Sequence, residues 1–149
     1  MDVMSAADRH RTMAAIRGRD AGPEVFVRHL LWHHGLRYRT SVRRLPGSPD
    51  IYLAKYSTAI FINGCFWHGH EGCRYYRVPK SNTDFWVAKI TRNRERDGET
   101  RRRLEEAGVR QLVIWECTVR AMRKDEEKCD EVLAAILNFL HSDQHYLEL

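Results

Sequence analysis

The segment INGCFWHGHEGC, Ile62 to Cys73, holds two cysteines, two histidines and an adjacent Phe66-Trp67 pair within twelve positions. Thiolate and imidazole are the donors that tetrahedral zinc takes. Cys65, His70 and Cys73 form Cys-x4-His-x2-Cys, and Cys117 follows the apolar run VRQLVIW. Three near ligands and one distant one would pin the loop to the end of that run. Four protein ligands would also close the site to water, as structural zinc sites do. Spacing leaves His68 open as the alternative imidazole. The plainer alternative is a group of reduced core cysteines beside surface histidines. Cys129, which shares an apolar helix face with Leu133 and Ile136, is read as core in that way.

Carboxylates supply a second set of candidates. Asp50 ends PGSPD and stands at the mouth of an apolar strand, where a turn role competes with metal binding. Many nucleases with a mixed sheet carry such an aspartate on one strand and Glu-x-Lys on the next. Here the next strand reads AIFING, so Glu-x-Lys is missing. Glu24 falls in the first turn of a helix, where the helix dipole alone explains it, yet it lies on the side of Val27 and Leu31. Trp86, Ile90, Asn93 and Asp97 are offset by four, seven and eleven positions, so one helical face runs from apolar to polar and delivers an amide and a carboxylate inward.

These groups need a frame. Pro23 suits a first helical position, and Val27, Leu30, Leu31 and Gly35 complete a helix with an apolar face and a glycine stop. A shorter basic helix is predicted from Ser5 to about Gly18. Short apolar runs between Pro, Gly and Ser then predict strands, including 50–54 and 58–62 joined by a hairpin through AKYS. A charged helix from about Asn82 to Glu106, a buried strand VRQLVIW and a final amphipathic helix DEEKCDEVLAAILNFLHS follow. The order α-α-β-β-β-α-β-α predicts an α/β domain with a mixed sheet flanked by helices.

The 149 residues, 43% hydrophobic and 30% charged, suit one globular domain over 1–149. Lys and Arg exceed Asp and Glu by 25 to 20, a basic balance that favours a polyanionic partner. No run approaches the ~20 apolar residues of a membrane span, and MDVMSAADRHRTM lacks a signal-peptide core. A cytoplasmic, reducing location is expected, where four cysteines serve as ligands or core rather than disulfides.

Taken together, RTMAAIRGRD with Glu24 following, LPGSPD, GCFWHGHEGC, VPKSNTDFWVAKITRNRERD and VIWEC stand in order over about residues 8 to 120. This set resembles the very-short-patch repair (Vsr) DNA mismatch endonucleases. The resemblance implies a variant of the restriction-endonuclease fold with a structural zinc site. It implies a Mg²⁺-dependent endonuclease that nicks one strand beside the thymine of a T:G mismatch, the lesion left by deaminated 5-methylcytosine. On that resemblance Asp50 and the backbone carbonyl of Ile62 hold Mg²⁺, and Glu24 reaches its waters. His68 is the catalytic histidine, supported by Asp97, and Cys65, His70, Cys73 and Cys117 hold zinc. Phe66, Trp67 and Trp86 form a wedge between base pairs, met by Met13 from an N-terminal DNA-contacting arm over 1–19.

Lys89, Arg92 and Asn93 are expected at the DNA, with Arg9, Arg11, Arg17, Arg19 and Arg94 near phosphates. The implied partners are T:G-mismatched double-stranded DNA and the proteins of mismatch repair and repair synthesis, met by a monomer. In one respect the chain departs from the family: Asn63 stands where several relatives have a histidine. An amide does not shuttle protons at neutral pH, so acid-base work falls more heavily on His68. Two rivals remain at this stage. A restriction-like nuclease for matched DNA would need Asp50 but no wedge, and a zinc-stabilised DNA-binding module would need neither.

Overall fold

The computed structural model describes residues 22–149. Helix α1, Pro23–His33, begins with proline in its first turn and is followed by Gly35 in the left-handed region at φ 85°. It buries Phe26, Val27, Leu30 and Leu31, the apolar face expected from their spacing. Strands β1 (Arg39–Thr40), β2 (Ile51–Leu53) and β3 (Thr58–Asn63) pair antiparallel. The β2–β3 hairpin closes through a short 3-10 turn, Ala54–Tyr56, with Ser57 left-handed. The long helix α2, Thr83–Glu106, then crosses over to β4, Arg110–Trp115, which lies parallel to β3. Helices α3 (Glu116–Lys124) and α4 (Glu126–Leu140) follow, and β5, Tyr146–Glu148, adds a parallel edge.

The sheet runs β1-β2-β3-β4-β5. Alternation along the strands divides its two faces. Ile51, Leu53, Ile60, Leu112 and Ile114 turn to one side and form the main core with α1, α3 and α4. Cys129 is part of that core, with Leu133 and Ile136. Tyr52, Ala59, Leu104 and Val109 pack on the other side, where α2 lies. A mixed sheet with helices on both faces is the restriction-endonuclease-like α/β architecture that the sequence led us to expect.

Two features differ from the sequence reading. Helix α3, between β4 and the predicted final helix, was not expected; the predicted helix is α4, which Asp125 (φ −138°, ψ 114°) caps by accepting from the Glu127 N–H at 3.0 Å. The strand β5 was not expected at all. The predicted helix from Ser5, the arm over 1–19 and Met13 lie outside the described residues.

Leu112 is fully buried where the sheet meets the main core. Leu112→Ala should therefore cost about 2–5 kcal/mol of stability, read from the urea midpoint at unchanged slope. A loss well under 1 kcal/mol would contradict this packing.

Candidate active site

The site is assembled where β2, β3 and the loop after β3 end together. Asp50 stands just ahead of β2, and its Oδ2 accepts the Ile62 N–H at 2.8 Å. This bond fixes the carboxylate against β3. In an antiparallel ladder a residue's N–H and C=O face the same edge, so the Ile62 carbonyl opens to the side where Asp50 sits. Burial raises the Asp50 pKa above its ordinary value, against the lowering by the Ile62 bond. The Glu24 charge adds to the rise and His68 opposes it, so both belong to the same electrostatic neighbourhood. Glu24 projects from the first turn of α1 and pairs with Arg28 at 3.7 Å. A half-buried carboxylate beside a backbone carbonyl is the donor set that a hard cation takes, with water filling the rest of its shell.

Helix α2 supplies the opposite wall. Ile90 is buried, and the polar residues that follow it at helical spacing clasp the loop. Asn93 Nδ2 donates to the Trp67 carbonyl at 2.7 Å, and Arg94 Nε donates to the Gly69 carbonyl at 3.1 Å. Asp97 Oδ2 lies 2.7 Å from His68 Nδ1. With Nδ1–H donated to Asp97, the Nε2 of His68 keeps its lone pair. The arrangement requires a glycine at 69: its φ is 61°, and a Cβ there would lie 2.6 Å from Ile90 Cγ2 and 2.5 Å from Arg94 Nε. Arg94 was expected near a phosphate; its guanidinium is instead committed to Gly69 and, at 3.5 Å, to Glu71.

The ligand atoms of Cys65, His70, Cys73 and Cys117 all lie within 4.8 Å of one another, near the about 3.8 Å edge that four tetrahedral ligands at zinc-type distances would have. His70 belongs to this cluster, with Nδ1 3.5 Å from Cys117 Sγ, and His68 faces Asp97. Burial pushes the Cys65 thiol up to about 12, and raises Cys117 as well. Cys73 is lowered: hydrogen bonds from the Tyr75 and Tyr76 backbone and from the neighbouring thiols outweigh its desolvation. Three thiolates so close would repel strongly, and a bound cation would offset that charge while displacing the protons. The cluster could thus hold a metal ion.

Phe66, Trp67 and Trp86 meet edge to face, with centroids 5.3 Å apart for Phe66 with either tryptophan and 5.8 Å for the two tryptophans. Trp67 is 49% exposed. Phe85, which sequence reasoning passed over, stands 5.1 Å from Trp86 and is 57% exposed. Its only sequence signal was its place next to Trp86. Lys89 is half-buried and Arg92 exposed on the same helix. Asn63, at the end of β3, is buried and lines the cavity that also holds His68 and Asp97.

The sequence profile described as DNA mismatch endonuclease Vsr matches residues 1–74. The chain is 42% identical over 132 residues to the DNA mismatch endonuclease Vsr of Escherichia coli K12, covering 89% of this chain and 82% of that protein. The chain belongs to the Vsr DNA mismatch endonuclease family. It is 42% identical over 135 residues to the type II nicking enzyme V.NmeAIP of Neisseria meningitidis serogroup A, covering 91% of this chain and 96% of the relative. It is 38% identical over 132 residues to the type II nicking enzyme V.XorIIP of Xanthomonas oryzae pv. oryzae, at 89% and 96% coverage. As a Vsr-family endonuclease the protein acts on DNA, and among its described helices none is long and apolar enough to cross a membrane.

The raised Asp50 pKa has a defined sign. A carboxyl that binds its proton more tightly folded than unfolded subtracts stability as pH rises through that raised value, and its cation affinity falls as pH drops through it. Asp50→Asn keeps an acceptor for Ile62 and removes the buried charge. At neutral pH without divalent ions it should melt at or above the parent temperature. Added Mg²⁺ should raise the melting temperature of the parent only. An equal rise in the variant would show that the ion binds elsewhere.

Proposed function

We propose that the protein nicks one strand of double-stranded DNA beside the thymine of a T:G mismatch, by Mg²⁺-dependent phosphodiester hydrolysis, and so initiates very-short-patch repair of deaminated 5-methylcytosine. The observation that carries this reading is the juxtaposition, on one short loop, of a histidine backed by Asp97, whose charge acts on Asp50, with Phe66 and Trp67 of an exposed aromatic cluster completed by Trp86. Relatives bearing the names mismatch endonuclease and nicking enzyme support cleavage of one strand.

In this reading Asp50 and the Ile62 carbonyl hold Mg²⁺, which when bound supplies positive charge for the phosphoryl oxygens. Glu24 orders water at that position from α1. His68 Nε2 takes a proton from the attacking water, and Asp97 stabilises the imidazolium that results. A phosphorus–oxygen bond forms to that water as the bond to the leaving oxygen breaks, and the leaving oxygen takes its proton from solvent water. Asn63 contributes no proton. Cys65, His70, Cys73 and Cys117 hold structural Zn²⁺, the fit for three sulfurs and one nitrogen, and keep the loop rigid.

Phe66, Trp67 and Trp86 enter the duplex where stacking is weakest. Unstacking costs a few kcal/mol and least at a mismatch, while each base stacked on an aromatic returns about 1–3 kcal/mol. Lys89 and Arg92 take phosphates and Asn93 braces Trp67 through its carbonyl. The reading is of one domain over 1–149 acting as a cytoplasmic monomer, with Met13 and the arm over 1–19 on the DNA and repair proteins acting on the nick.

The test is a single-T:G duplex, labelled on each strand in turn, against its T:A counterpart with and without Mg²⁺. Nicking should need Mg²⁺, fall on the thymine strand and favour T:G. Trp67→Ala should lower the T:G to T:A ratio by about tenfold or more, since ~1.4 kcal/mol of lost discrimination is tenfold. Lys89→Ala and Arg92→Ala should slow both duplexes alike and flatten the salt dependence. A parent ratio near one would leave a nuclease without mismatch selection.

A further inference from the structure

The indole of Trp115 touches both histidines of the loop. It lies flat on the His70 ring, at 4.0 Å between centroids and 1° between planes, and meets the His68 ring edge-on at 6.4 Å and 73°. Its own orientation is set from the far end of the chain. Trp115 Nε1–H donates to Glu148 Oε1 at 2.8 Å, and the other oxygen of that carboxylate accepts the Tyr146 hydroxyl at 2.7 Å. Arg101 lies over the Tyr146 ring at 3.5 Å. The backbone ties the same segment down, with Leu149 N donating to the Val113 carbonyl at 2.8 Å and Trp115 N to the Leu149 carbonyl at 2.9 Å.

A well-packed wall would make such a hydrogen bond redundant, but this wall is not closed. Trp115, Tyr146 and Glu148 line a cavity of about 730 Å³ together with His68, His70 and Asp97. The Oε1 of Gln111, 7% exposed on the same cavity, has no hydrogen-bond partner among the described residues. Trp115 packs with Cys65, Val113 and Tyr146, and on the cavity side one group fixes the direction of its indole by holding the N–H. The carboxylate of Glu148 is the group that does so.

We infer that Glu148 is a positioning residue for the nicking reaction, fixing the Trp115 indole and through it the relative orientation of the His70 and His68 rings, with Tyr146 orienting the carboxylate. This rests on the reading of His70 as a zinc ligand and His68 as the base. The edge strand β5 is thereby part of the catalytic scaffold as well as of the sheet.

The experiment compares parent, Glu148→Ala, Glu148→Gln and Asp50→Asn in steady-state nicking of the T:G duplex and in zinc release to a chromogenic chelator. Glu148→Ala should lower kcat about tenfold with KM for DNA unchanged, and should release zinc faster, as loss of a group behind a ligand does. Glu148→Gln should restore most of both, because its amide oxygen still accepts from the indole. Parent-like kcat and zinc release in Glu148→Ala would overturn the inference. So would a loss that follows a drop in melting temperature and that Glu148→Gln does not recover, since β5 would then only stabilise the fold. Full nicking by Asp50→Asn would instead overturn the active-site reading itself, and the chelator readout would still report on Glu148.

Discussion

Asn93, Arg94 and Asp97 occupy three positions within one turn of α2, and each bonds to a different part of the loop after β3: the Trp67 carbonyl, the Gly69 carbonyl and the His68 ring. The loop makes no ladder bonds; its own turns, closed by His68 N to the Gly64 carbonyl at 3.1 Å and His70 N to the Cys65 carbonyl at 2.9 Å, are held to the domain by its attachments. One attachment is this clasp and the other is the cluster of Cys65, His70, Cys73 and Cys117. Between them His68 has little freedom. Its position relative to Asp50 follows from α2 on one side and the end of β3 on the other.

The loop and the strands beside it carry two donor sets of different cation preference. Sulfur and imidazole favour a soft or borderline ion, and the carboxylate and carbonyl of Asp50 and Ile62 favour a hard one. In the protein alone burial favours the protonated form of Cys65, Cys117 and Asp50, and the Glu24 charge adds to the rise at Asp50. An ion at either place would favour the deprotonated ligands instead. Gly69 is where the two halves meet, between His68 and His70, and its left-handed backbone lets the two imidazoles diverge, one to α2 and one to the thiols.

Much of this was legible in the residues. The period of Trp86, Ile90, Asn93 and Asp97 announced a helix face that ends in polar groups, and the structure shows those groups turned onto the loop. The cysteine spacing announced a cluster, though spacing alone left His68 and His70 interchangeable. That choice depends on the partner Asp97, distant in sequence. The acidic DEE that caps α4 marked the start of the final helix, whereas α3 follows β4 directly from Trp115 with no side-chain cap and so carried no start signal of its own. The three-residue β5 carries too little pattern to be read, because what makes it a strand is β4 beside it. Glu148 was missed for the same reason, and the bond of Arg94 to the Gly69 carbonyl was not foreseen because an exposed-looking basic helix gives no hint of a carbonyl underneath.

In the proposed mechanism His68 and His70 divide the labour, so the most direct measurement sets zinc content beside T:G nicking rate in His68→Ala and His70→Ala. His68→Ala should keep one zinc per chain and its melting temperature while losing nicking by about a hundredfold or more, the scale of general-base catalysis. His70→Ala should lose zinc and with it the order of the loop. Zinc lost from His68→Ala, or a His70→Ala protein that keeps both its metal and its activity, would contradict the account.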